Sequence, residues 1–108
     1  MLGKFPFPEW ILNTPLKIYQ TELSEDGEPV PSPLFDGKAF YEEKTRQVLD
    51  KERKLVTLSG KVICKGDINP GKLIEGYVQV GDAKKDIFKA SRPRNPDGTV
   101  FSTEMDLI

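Results

Sequence analysis

Hydrophobic and polar residues alternate along most of this chain, and helix-like spacing is rare. In LKIYQTEL (16–23), Leu16, Ile18 and Gln20 share one face while Lys17, Tyr19 and Thr21 share the other, which predicts a strand. KLVTLSGKVICKG (54–66) places Val56, Leu58, Val62 and Cys64 on one side, with Gly60 at a break suited to a bulge. The preceding run, 38–48, has no clean apolar face in either period. Its short polar link to the next strand, DKERK, predicts a hairpin and therefore a strand. LIEGYVQVG turns Ile74, Val78 and Val80 inward around Gly76. DAKKDIFKASRPR is a further extended run containing Ile87, Phe88 and Ala90, and TVFSTEMDLI adds a strand with Val100, Phe101, Met105, Leu107 and Ile108. GDINPGK, with Asn69, Pro70 and Gly71, reads as a type I or II corner, and NPDG (95–98) as a hairpin turn. Short strands with turns every eight to twelve residues or so predict an all-β chain. The expected fold is one small antiparallel β-barrel or sandwich over residues 1–108.

Two segments break the alternation. In the arm MLGKFPFPEWILNTP (1–15), Phe5, Phe7, Trp10, Ile11 and Leu12 cluster between Pro6, Pro8 and Pro15. The prolines forbid a regular helix, although PEWILN suits a single turn begun by Pro8. Aromatics on such an arm form either a lid over the core, the preferred reading, or an exposed anchor for a partner. SEDGEPVPSPLFDG (24–37) holds three prolines, two glycines and four acids. Its apolar residues, chiefly Val30, Leu34 and Phe35, look too few to offset the entropy of ordering it. The segment is expected to be a mobile loop in the free monomer.

Charge and composition narrow the function. Sixteen basic residues face seventeen acidic ones in 108 residues, which argues against nucleic-acid or membrane-surface binding driven by cationic excess. No apolar run approaches the roughly 18 residues of a membrane span. The first residues lack the apolar core of a secretory signal. The single cysteine, Cys64, excludes an internal disulfide and fits a reducing compartment. The chain has no histidine, so the commonest general base is missing, as are Ser/His and Cys/His nucleophile pairs and a single-chain structural zinc site. No enzyme activity, metal or cofactor is expected.

The remaining candidates are charged patches. Glu42, Glu43, Asp50 and Glu52 alternate with Lys44, Arg46, Lys51 and Arg53, as in a solvated strand face with cross-strand ion pairs. Cys64 reads as a buried structural thiol. The run 84–94 carries Lys84, Lys85, Lys89, Arg92 and Arg94 around Phe88. It suits a charged protein–protein surface and, second to that, a nucleic-acid backbone.

The hairpin DGKAFYEEKTRQVLDKERKLV, the following GKVICKGDI and the late NPDGT together resemble the small head–tail connector proteins of tailed bacteriophages and prophages, the head-completion or stopper group. The resemblance covers roughly residues 36–108 and rests on turn and strand patterns. It implies a β-barrel that assembles as a ring beneath the portal, closes the filled head and docks the tail. The implied partners are portal, adaptor and tail proteins, further copies of the chain, and packaged DNA touched non-specifically. The implied location is the virion, and the host cytoplasm during assembly. Under this resemblance 24–37 would gate the lumen or order against a neighbour, with Glu25, Asp26 and Glu28 repelling DNA. Phe5, Phe7 and Trp10 would pack into an adjoining subunit. The rival readings are a tail-completion or minor capsid protein, and a barrel binding single-stranded nucleic acid through 84–94.

Overall fold

The computed structural model describes residues 6–108. It contains a 3-10 turn, Glu9–Ile11, followed by six strands: β1 Thr14–Leu23, β2 Pro29–Leu49, β3 Leu55–Lys65, β4 Gly76–Val80, β5 Ala83–Ser91 and β6 Ser102–Leu107. All pairings are antiparallel, and the order β1-β2-β3-β6-β5-β4 closes on itself through β1 and β4. The expected all-β antiparallel fold is therefore correct, and of the two forms expected, barrel or sandwich, the sheet takes the one that closes on itself. Within the closed sheet Leu16, Ile18, Ala39, Val62, Cys64, Ile74, Val78, Met105 and Leu107 form one buried cluster. These are largely the residues that period two turns inward, because successive side chains of a strand point to opposite faces.

The expected loop at 24–37 is a correction. Only residues 24–28 turn, while 29–37 belong to the 21-residue β2 and pair in register with β1, from Leu23↔Pro29 to Leu16↔Gly37. Two local features make this possible. First, the register shifts between Ile18 and Tyr19, which face Phe35 and Pro33, so Leu34 is an extra residue on β2. The bulge lets the consecutive residues Leu34 and Phe35 both pack against the core. Second, the prolines do not interrupt the ladder. The Thr21 N–H donates to the Glu75 carbonyl, on the β4 side of β1, so the pair Thr21↔Pro31 exchanges no bonds with itself. The Pro31 nitrogen therefore faces away from β1, and by period two so do those of Pro29 and Pro33. The missing donors lie on the free edge of β2, where prolines are tolerated and discourage the addition of another strand.

Three hairpin ends share one loop. In each, a residue donates its N–H to the carbonyl four residues on, and a second bond closes a turn inside: Ser24 with Glu28, Asp50 with Lys54, and Asn95 with Thr99. This is a type I turn followed by a left-handed residue. Gly27 and Gly98 take that position, but Arg53 takes it in the second loop, with φ of 61°. There the Asp50 carboxylate accepts the N–H groups of Glu52 and Lys54, both at 2.9 Å, and holds the turn without glycine. The corner at Asn69–Lys72 is also as expected, closed by Lys72 N–H to Asn69 O with Gly71 at φ 72°. The predicted bulge near Gly60 lies on the facing strand, where β2 shifts between Glu43 and Arg46. Gly60 suits that site because a Cβ would come within 2.7 Å of the Glu42 carbonyl.

The closed body does not use the full length of its strands. β4 pairs with β1 at residues 17–20, and β6 pairs with β3 at 60–65. The far ends of the β1–β2 and β2–β3 hairpins therefore project as two-stranded arms. The radius of gyration, 14.8 Å, exceeds the roughly 13 Å of a compact chain this long.

Cys64 sits in the core as predicted, fully buried, and burial pushes its thiol up from 9.0 to about 12. In the unfolded chain the thiol ionises near 9, so from there to about 12 the unfolded state releases a proton that the folded state keeps. Stability thus falls as pH rises through this window, by up to about 1.4 kcal/mol per unit, and is unaffected by this group below it. Denaturant unfolding at pH 8.0 and 10.5 or so should show a larger loss for the wild type than for Cys64→Ala. Equal losses would mean that the thiol is solvated in the folded chain.

Candidate functional site

Among the described residues no group of three or more Cys, Asp or Glu is arranged to hold a metal ion, and no helix is long and apolar enough to cross a membrane. What the fold exposes is surface built on strands, in four parts.

The N-terminal arm splits between its two readings. Phe7 packs against Phe101 with ring centroids 5.2 Å apart, as a lid would. Glu9 binds Lys65 at 2.7 Å and ties the 3-10 turn to the end of β3. Pro8 precedes that turn and does not lie inside it. Trp10, by contrast, is 84% exposed. The lid reading therefore fails for Trp10, because the two tethers just before it, at Phe7 and Glu9, hold its turn against the body with the indole outward. Phe5 lies outside the described residues.

The basic run does not form a single patch. Arg92 donates to the Asp67 carboxylate at 2.9 Å and to the carbonyls of Asn69 and Lys72, so it clamps the loop between β3 and β4. Arg94 donates to the Gly98 carbonyl across its own hairpin. Lys84 lies over the Tyr77 ring, 4.2 Å from its centroid, and Lys85 lies 5.8 Å from that of Tyr41. Lys89 is exposed and stands opposite Asp106. β-Strand alternation sends neighbouring cations to opposite faces, and the fold spends both arginines on its own loops.

Lys84 belongs to a feature that the sequence reading missed. Tyr19 and Tyr77 are directly opposite on β1 and β4 and stack with centroids 5.0 Å apart. Lys17, Gln79 and Lys84 form the adjoining cross-strand row, with Asp36 beyond Lys17. A shallow cleft runs along this outer face, lined by Lys17, Tyr19, Asp36, Tyr77 and Gln79. The two tyrosines are 58 residues apart, so only the β1–β4 register could have revealed the pair. On the other side of the body Arg46 meets Asp106 at 3.5 Å and Lys61 meets Glu104 at 2.9 Å. Arg46 thus reaches a carboxylate of β6 and not Glu42, Glu43, Asp50 or Glu52 as expected, while Glu52 binds Lys54 inside its own turn.

The projecting hairpin ends make up the last surface. Glu25, Asp26 and Glu28 are all exposed at the β1–β2 end, beside Leu23 and Val30. The β2–β3 end presents Leu49 and Leu55, directly opposite each other and 62% and 69% exposed. Compared with family models, with curated proteins and with solved structures, the chain matches none.

Proposed function

We propose that this chain is a structural assembly protein of the head–tail interface of a tailed phage or prophage. In this reading it forms a ring below the portal, helps to retain the packaged DNA and offers a docking surface for the tail. The observation that carries the proposal is a closed β body from which two hairpins project with leucines at their ends. Exposed apolar ends on a nearly neutral surface suit contacts between subunits. A small closed body supplies a rigid base for those arms, and the tethered Trp10 adds an aromatic anchor of the kind that dominates interface energetics. Portal, adaptor and tail proteins are the proposed partners, with further copies in the ring, and the virion is the proposed location. The similarity of the 36–108 turn and strand pattern to stopper-like connectors is what selects this assembly over a tail-completion or minor capsid role.

The test is a nonsense mutation in a phage that encodes the chain. The expected phenotype is heads that package DNA, fail to join tails and leak their contents. Arrest before packaging, or tailed infectious particles at normal yield, would reject the role.

A second reading is favoured by the Tyr19–Tyr77 stack beside Lys17 and Lys84, since aromatics and cations on an outer strand face can hold single-stranded nucleic acid. Micromolar binding of an oligonucleotide that weakens steeply with salt, and that is lost in Tyr19→Ala, would favour it over the assembly role.

A further inference from the structure

Seven large apolar residues are prominently exposed among the described residues, and four of them, Leu23, Val30, Leu49 and Leu55, lie at the two hairpin ends. The charges around these two groups are opposite. Residues 22–30 contain Glu22, Glu25, Asp26 and Glu28 and no cation, whereas residues 44–55 contain Lys44, Arg46, Lys51, Arg53 and Lys54 against Asp50 and Glu52. The two ends also belong to one element, because β2 begins in the acidic hairpin at Pro29 and finishes in the basic one at Leu49. Each copy thus carries two different apolar ends of opposite sign, held at opposite ends of its longest strand.

We infer that these ends are the two halves of a self-contact, in which the acidic β1–β2 hairpin of one copy seats against the basic β2–β3 hairpin of the next. The occupant of each end is a second copy of this chain, chosen by charge complementarity. A polyanion or an anionic membrane would suit the basic end alone and be repelled by the other. The contact joins two unlike patches, so it is head-to-tail. It leaves one free end of each kind on every growing assembly, and it closes into a ring when the rotation between copies divides the circle. The leucines provide the apolar centre and the charges set the pairing of unlike ends. The prolines of β2 reinforce this choice, since they remove donors from the free edge beside the acidic hairpin and disfavour sheet-to-sheet pairing there. The inference deepens the ring-forming reading above and rests on it for its biological setting.

Sedimentation of the full chain over a range of concentrations tests the contact. The wild type should associate as concentration rises, and roughly tenfold more weakly at 0.5 M than at 0.05 M salt, because exposed charges are screened. Glu25→Lys/Asp26→Lys/Glu28→Lys and Lys51→Glu/Arg53→Glu/Lys54→Glu should each stay monomeric alone, yet associate when mixed in equal amounts. A variant with both ends reversed should associate by itself. Leu49→Ser/Leu55→Ser, which leaves every charge in place, should also lose association while keeping its circular dichroism. Single-end reversals that associate like the wild type, or a mixture that stays monomeric, would overturn the contact. A chain that is monomeric in solution but forms rings on a portal would also overturn it while sparing the connector reading. Failure to form rings on a portal, with tip-to-tip association intact, would do the reverse.

Discussion

Gly76→Ala should open the closed sheet. A Cβ at Gly76 would fall on the backbone carbonyl of Tyr19, with the Thr21 nitrogen at 3.0 Å. Both contacts are backbone, so no rotamer change relieves them and one strand must move. The strand at risk is decisive, because β4 meets β1 through only four registered pairs, Lys17–Gln20 with Gln79–Gly76. Displacing β4 also separates the stacked tyrosines and exposes Val78. Backbone overpacking of this kind costs on the order of 3 kcal/mol, a large part of the 5–15 kcal/mol or so typical of a domain. Thermal unfolding should show a transition lowered by roughly 15 °C. Gly37→Ala is the control, since its Cβ would meet only the Phe35 ring at 3.5 Å, and it should shift the transition little. If Gly76→Ala melts with the wild type, β4 does not close the sheet.

Leu107→Ala should be at least as damaging for a different reason. Leu107 is fully buried, and its strand β6 lies between β3 and β5, opposite Gly60 on one side and Ile87 on the other. Removing its side chain leaves a cavity at the centre of the cluster, lined by strands held on both edges that cannot collapse into it. Such losses cost about 3–4 kcal/mol, or roughly 15–20 °C in a domain near this size. Leu55→Ala deletes the same atoms from a residue that is 69% exposed, and should stay within about 0.5 kcal/mol of the wild type. A similar cost at both positions would contradict the division into a packed body and projecting ends.

Both sites were partly visible in the chain. Leu107 follows Met105 at the period of a strand, and Gly76 interrupts an inward row between Ile74 and Val78. What spacing could not show is that Gly76 sits where two strands approach too closely for any side chain. The segment 29–37 was misread because composition hid its pairing. Three prolines imply a loop until the register shows their nitrogens on the unpaired edge, and Leu34 next to Phe35 breaks alternation until the bulge is known. Arg92 reads as part of a cationic run, yet its partners Asp67, Asn69 and Lys72 lie 20–25 residues upstream. A window of ten residues cannot contain them.

From the sequence alone came the class of the fold, the inward rows of β1, β3 and β4, the turns at 95–98 and 69–72 and the burial of Cys64. These depend on side-chain period and local backbone preference, which act within a few residues. Tertiary structure decided which strands are neighbours, that β2 runs unbroken from one hairpin to the other, and where the charged and aromatic residues meet. Those outcomes depend on pairings between distant segments. The register of such pairings is set by closing the whole sheet around one core, a condition that no single stretch of residues carries.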